Sequence, residues 1–300
     1  MSRRRKITGG VLVGASAFSA IAIIAIIVVI LVVVIIGSKD KITWEFLTAF
    51  PENGMTEGGI FPAIYGTALM VIIMSVAAVP FGTITAIYLT EYASEKSVIA
   101  QTIRFAVRTL ATVPAIIFGL FGLGFFIKFI GGEMDSIFLG GELRWAQPNI
   151  LWASLTMSLL TLPVVIISVE EAIRTVPREL REASLALGAT KWQTIKKIVI
   201  PGSISGIMTG MILAVSRGAG EVAPILFTGA AYYLATLPTS LSDQFMNLGY
   251  HIYIMSTQSA DVDGTMSIQY ATTLVLLMLT FLLNFIAVII RARIRRRVKA

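Results

Sequence analysis

The sequence predicts an all-α, polytopic transmembrane bundle of six helices, and three observations predict it. Hydrophobic residues make up 56% of the 300 and charged residues 14%; with a mean hydropathy of +0.84 this lies far outside the soluble range. The apolar residues gather into runs long enough to cross a bilayer, which takes ~20 residues per helix. Basic residues between the runs alternate in density, as expected of segments on opposite sides of a membrane. No low-complexity tract or internal repeat interrupts the chain, so we read one membrane domain, 1–300.

The first run, near 10–36, follows Arg3, Arg4, Arg5 and Lys6. Its basic start resembles a secretory signal, but the run is much longer than the ~7–15 residues of a signal core and is expected to stay in the membrane. Further spans are expected near 60–89, 109–130, 150–169, 202–230 and 270–290. Pro80, Pro114 and Pro163 each interrupt one of them, as a kink or a hinge. Lys128, near the outer end of the third, is expected to snorkel to the interface. Gly119, Gly122 and Gly124 point to close helix packing, since no strand precedes them as a nucleotide fingerprint requires.

With the N-terminus inside, 19 of the 24 Lys and Arg fall in cytoplasmic segments. Lys39, Lys41 and Arg144 fall in external loops, leaving Lys128 and Arg217 within spans. Both termini are therefore expected in the cytoplasm. The net charge of +7 follows from that topology and from contact with anionic membrane lipid, and calls for no nucleic acid. Zero cysteines and a single histidine, His251, leave nothing for disulfides or a His/Cys metal site. Neither a metal nor a cofactor is expected.

The loop between spans four and five, 170–201, carries TVPRELREASLALGATKWQTIKKIVIP. Two short helices are expected there. Pro177 suits a first helical position and Gly188 a left-handed helix end. Thr190 with Gln193 makes a capping box for the second helix, which Pro201 is expected to close off from the next span. On the first helix Leu180, Ala183, Ser184 and Leu187 form a narrow apolar stripe, with Arg178, Glu179, Arg181 and Glu182 elsewhere. Such a stripe needs a groove to fill. A helix lying on the membrane surface is the alternative, and it gives no reason for the Gly-to-Pro spacing.

In the fifth span SRGAGEVAPILFT, 216–228, places Arg217 near the expected midplane. A charge there costs at least ~2.5–3.5 kcal/mol and leans toward function. Glu221, four residues on, shares its helix face and can pair with it. Gly218, Gly220 and Pro224 weaken the backbone bonding of the same turn, and irregular backbone at such depth lines a pathway. Arg217 suits a passing oxyanion, because guanidinium stays charged and holds two oxygens at once; the alternative is a purely structural pair with Glu221. Gly202, Gly206, Gly210, Ala214 and Gly218 form a ridge that lets a neighbouring helix approach closely. The 231–269 loop, with His251, Asp261 and Asp263, is expected outside the membrane, as a docking surface or merely solvated.

The spacing E-A-S-x3-G-x9-I-x-I-P, Glu182 to Pro201, resembles the EAA loop of ATP-binding-cassette importer permeases, with Ser184 and Ile200 as mild departures. The run Arg217, Gly220, Glu221, Ala223, Pro224, Leu226, Phe227, Thr228 resembles the membrane subunits of the bacterial phosphate importer, as does 113–126. AAYYLATLPTSL, 230–241, resembles the PstA type among them. The resemblance covers most of the chain from about residue 60. It implies a type I importer permease fold and an assembly with a homologous permease, an ATPase dimer and an extracytoplasmic phosphate-binding protein. It also implies that Leu180, Glu182, Ala183, Ser184, Leu187 and Gly188 engage the ATPase and that Arg217 and Glu221 act in phosphate passage.

No G-x-x-x-x-G-K-[ST] loop occurs, so ATP hydrolysis is expected in a partner and this chain is expected to be non-catalytic. A permease for sulfate or molybdate, or an anion channel or ion-coupled carrier, remains as the alternative. The EAA loop is what separates the importer from the last two.

Overall fold

The computed structural model describes residues 3–94, 96–259, 261–262 and 264–299, with side chains from Leu12 to Ile294. Among them, six helices are long and apolar enough to cross a membrane. The first, α1 (Arg3–Ser38), is apolar all round and almost wholly exposed, as a lipid-facing helix must be. It docks on the last helix at Gly37, where even a methyl group would lie 2.3 Å from the Tyr270 ring. A short α2 (Trp44–Thr48), capped by the Thr43 hydroxyl, and a two-residue hairpin, β1 (Pro51–Glu52) with β2 (Glu57–Gly58), lead to α3.

Helix α3 (Phe61–Ile87) carries Pro80 inside it and runs on through a wide, π-type turn, Tyr88–Tyr92. The third span differs from the expected 109–130. An amphipathic α4 (Val98–Leu110) comes first, the chain breaks at Ala111–Val113, and Pro114 caps α5 (Ala115–Phe121) rather than interrupting it. A π-type stretch, Gly122–Gly131, then joins α5 to α6 (Gly132–Phe138). The physical reason is the residue pair 113–114: a residue before proline is pushed out of the helical region, so one helix ends and another starts. Buried Asp135 holds the following loop by accepting N–H bonds from Arg144, Trp145 and Ala146 at 2.7–2.9 Å.

Helix α7 (Ile150–Arg174), capped by Asn149, is the central one, packed between α3 and α10. Its Ser154, Thr156, Ser158 and Thr161 are buried, and each returns its hydroxyl proton to the carbonyl four residues back. These four hydroxyls of α7 are thus accommodated in an apolar core with their donors paired.

The chain continues through α8 (Arg178–Ala186), α9 (Lys191–Thr194) and a π-type turn, Ile195–Val199, into α10 (Ile200–Gly220). Pro201 does not close off the second loop helix. The wide turn before it frees the carbonyl that its missing N–H would have bonded, and the helix runs unbroken from Lys191 to Gly220. The small-residue ridge of α10 is real and faces mainly α7. Side chains added at Gly202, Gly206 and Gly210 would meet Val176, Ala172 and Ser168 at 3.1, 2.0 and 3.3 Å, and one at Gly218 would meet Met74 of α3 at 2.4 Å.

The fifth span does not reach 230. α10 ends at Gly220, and a turn leads to α11 (Ile225–Thr228). Two glycines weaken the last turn and Pro224 cannot bond the Gly220 carbonyl, so the backbone leaves the helix instead of bending within it. The segment 231–269 is not simply an external loop either. It contains α12 (Leu248–Thr257), whose Leu248, Gly249, His251, Ile254 and Met255 are buried against α3 and the last helix. Its start is locked where the Leu248 N–H donates to the buried Thr67 hydroxyl at 2.9 Å. Asp261 is exposed, and Asp263 lies outside the described residues. The last helix, α13 (Met266–Lys299), packs on α1, α10 and α12.

Candidate functional site

Two places carry the residues singled out from the sequence, at opposite ends of the helix that runs from Lys191 to Gly220. At its far end, Arg217 sits in the last turn of α10, with its side chain 39% exposed and its Nε 3.7 Å from Glu221 Oε1. Glu221 has already left the helix, with φ −79° and ψ 135°. The pair therefore spans a helix end and is not carried on one helix face.

The level of Arg217 along the bundle follows from the antiparallel packing on α7. Gly218 faces Met74 and Met157, and Met157 lies seven residues, ~10 Å, from the start of α7. The nearer of the two, Met74, stands about halfway along α3, so the end of α10 that carries Arg217 lies level with Met74 of α3 and Met157 of α7.

The segment beyond Glu221 is packed tightly. Pro224 caps α11, and a side chain at Gly119 of α5 would touch the Pro224 carbonyl at 2.9 Å. Thr228 is buried and donates to the Pro224 carbonyl at 3.0 Å. Gly220 is open, with nothing near a side chain added there. The chain then folds over the start of α7: the N–H of Asn149 donates to Thr228, that of Ile150 to Asp243 and that of Leu151 to Leu241. The Asp243 carboxyl is held below the usual carboxylate range by the Ser240 and Thr239 backbone N–H groups, which outweigh the cost of its burial. The loop that comes after Arg217 is therefore a built cap on the bundle.

At the other end, α8 stands clear of the spans. Gly188 has φ +83°, the left-handed conformation expected of it, and the Ala189 N–H closes the turn onto the Ser184 carbonyl at 3.2 Å. The capping box is present: the Gln193 backbone N–H donates to the Thr190 hydroxyl and the Thr190 N–H to the Gln193 side-chain oxygen Oε1. Leu180 is 50% exposed and Leu187 89%; Ala183 and Glu182 are exposed beside them. Ser184 departs from the expected stripe. It turns inward, half-buried, with its hydroxyl 2.9 Å from that of Thr194.

The residue that holds α8 is Arg181, which the sequence pattern places on an outer face. Its guanidinium donates to Glu91 at 3.1 Å, to the Ile173 carbonyl at 2.8 Å and to the Val176 carbonyl. A second ion pair, Arg104 with Glu170 at 2.9 Å, ties α4 to α7 nearby. The sequence offers one signal for these contacts: Glu91 and Glu170 are acidic residues at the ends of apolar runs, where a basic partner is needed.

Residues 78–300 match the family model described as binding-protein-dependent transport system inner membrane component. The chain is 29% identical to the "Probable ABC transporter permease protein YqgI" of Bacillus subtilis over 271 residues, covering 87% of both chains. It is 32% identical to the "Phosphate transport system permease protein PstA" of Yersinia pestis over 249 residues, 83% of this chain and 77% of that one. Its fold is similar to a chain of a bacterial alginate ABC transporter crystallised with a pentasaccharide-bound periplasmic protein, with a TM-score of 0.66 at 17% identity, covering 98% and 97% of the two chains.

Proposed function

The chain belongs to the binding-protein-dependent transport system inner membrane components, and from that premise we propose that it is the PstA-type permease subunit of an ATP-driven phosphate importer. One observation carries the reading. A single unbroken helix has an unfilled apolar surface tethered at its start and an exposed guanidinium in its last turn.

A partner ATPase fills the stripe of Leu180, Ala183 and Leu187, with Glu182 at its edge and Gly188 setting the turn. Movement of α8 passes through Arg181 to the ends of α3 and α7, and through Ser184 to Thr194 at the foot of α9. The helices so displaced include the one whose last turn carries Arg217, where the anion passes. Glu221 and Pro224 shape that helix end, and Gly220 leaves the backbone there open.

The remaining partners are a homologous permease that completes the passage, a second ATPase copy, an extracytoplasmic phosphate-binding protein and the surrounding lipid. The phosphate assignment rests on the similarity to the Yersinia pestis protein and on guanidinium chemistry. The α8 end and both chain termini lie on the cytoplasmic side, as the basic residues favour.

The test is uptake by the whole complex in proteoliposomes supplied with the binding protein. Labelled phosphate should enter only with ATP inside the ATPase-bearing compartment, and excess sulfate or molybdate should not compete. Preferred uptake of either competitor would reassign the substrate, and flux without ATP would remove the coupling.

A further inference from the structure

Helices α10 and α13 pack antiparallel, and two polar contacts cross between them. The Ser216 hydroxyl lies 3.1 Å from the Asn284 side-chain oxygen, and the Arg291 guanidinium donates to the Thr209 hydroxyl at 3.2 Å. The two contacts are seven residues apart on each helix, so they share one edge, two turns or ~10 Å apart along it. Arg217 adjoins the first. Register with α7 places the second deeper: Gly210, beside Thr209, faces Ser168 and Val165, well below Met157. On another side, the same two helices and α3 form an apolar groove lined by Met211, Val215 and Leu283.

Each of these groups keeps hydrogen-bonding capacity in reserve. Ser216 also lies 2.9 Å from the Ile212 carbonyl, so whichever end of the Asn284 amide faces the hydroxyl, the other end has no partner among the described residues. The terminal amino groups of Arg217 likewise have none. Uncommitted donors, one of them charged, are costly against lipid and useful against an oxyanion. Arg291 is the first residue of the basic tail, where a headgroup contact would draw it outward; it reaches Thr209 instead.

We propose that this edge is the inward part of the solute route, with Arg217 and Asn284 forming one oxyanion seat and Arg291 a second, two turns nearer α8. The inference rests on the reading of the chain as an oxyanion importer. Two weak seats suit passage better than one strong seat, because an anion must leave as readily as it enters. Asn284 adds an amide able to accept from a protonated oxygen as well as donate to a bare one.

The native chain has no cysteine, so a single introduced thiol reports its own surroundings. Asn284→Cys in the assembled complex should react with a charged, membrane-impermeant methanethiosulfonate, and added phosphate should slow the reaction. Leu282→Cys is 54% exposed in the native side chain but ~160° away around α13, and it should stay inert. Equal reactivity at the two positions, or no effect of phosphate, overturns the seat at Asn284. For the second seat, Arg291→Gln should lower uptake by about tenfold, the size of one charged hydrogen bond, with assembly intact. Arg293→Gln, which removes a neighbouring exposed charge, should change it less than about twofold. Equal losses would reduce Arg291 to a topology signal. If the wild-type complex imports a different oxyanion, the phosphate reading falls, while the thiol experiment, repeated with that anion, still decides the route.

Discussion

Arg181 and Glu91, 90 positions apart in the chain, meet through Nε and Oε1 at 3.1 Å, with both side chains mostly shielded from solvent. The same guanidinium holds two carbonyls at the end of α7, so one side chain ties α8 to two spans. Replacing it with alanine leaves a partly buried carboxylate and two carbonyls without their donor. Arg181→Ala is expected to cost about 2 kcal/mol of local stability and to free α8 while the spans stay folded. Limited proteolysis should then cut within 177–190 in the variant and spare the wild type.

The exposed face of α8 behaves in the opposite way. Leu187 touches almost nothing in the isolated chain, so Leu187→Asp should leave its melting temperature within the spread of ordinary surface changes, about 0.5 kcal/mol. Association with the ATPase should nevertheless be lost, as co-purification would reveal. Gly188→Ala tests the turn itself. Nothing lies within 4 Å of the added methyl group, but φ is +83°, so the penalty is backbone strain alone, about 1 kcal/mol. A loss of ATPase binding larger than the loss of stability would show that the turn aims the helix.

The ridge on α10 gives a sharper contrast. A methyl group at Gly206 would sit 2.0 Å from the Ala172 methyl group, whereas one at Gly124 meets nothing within 4 Å. Gly206→Ala should therefore push α7 and α10 apart and cost about 1–3 kcal/mol or more. Gly124→Ala should be neutral within about 0.5 kcal/mol. Thermal unfolding in detergent distinguishes them, and equal melting temperatures would refute the close approach.

Local features are the legible ones in this sequence. The left-handed Gly188, the Thr190–Gln193 box and the ridge that recurs every four residues each depend on residues a few positions apart, and each is where its chemistry puts it. The features that escape depend on partners far along the chain or on hydropathy that does not change. Residues 221–230 are as apolar as the helix before them, so nothing in composition marks the end of α10 at Gly220. The apolar character of α12 likewise gives no sign that it packs inside the bundle. Arg181 looks like a solvated charge because Glu91 belongs to a different span. Pro201 looks like a stop because the π-type turn that makes room for it leaves no residue signature.

His251 makes stability depend on pH. It is 3% exposed, and neither ring nitrogen has a hydrogen-bond partner among the described residues. Burial alone pushes its pKa from 6.5 down to about 4. Between those values the unfolded chain binds the extra proton, so stability is full above about 6.5 and falls as pH drops toward 4. The loss amounts to about 3 kcal/mol at most. His251→Leu should flatten this slope without destabilising the protein at neutral pH. Parallel pH profiles of melting temperature for variant and wild type would contradict it.

On the proposed importer reading, Glu221 takes part in choosing the anion. Its carboxylate lies beside Arg217, where it would repel a fully ionised oxyanion but accept a hydrogen bond from a protonated oxygen, which phosphate carries near neutral pH and sulfate does not. Arg217→Gln removes the charge that attracts either anion, so uptake should be abolished with the complex assembled; normal uptake would reduce the pair to a structural tie. Glu221→Gln keeps the shape, can still accept through its carbonyl oxygen, and adds donors that suit a bare oxygen. It should therefore retain phosphate uptake but narrow the preference over sulfate, by about tenfold if one charged hydrogen bond is the difference. Uptake must be measured with the binding protein saturated by each anion in turn, so that the receptor's own selectivity drops out of the ratio. An unchanged preference under that condition would leave Glu221 with no part in discrimination and only the task of holding Arg217 at the helix end.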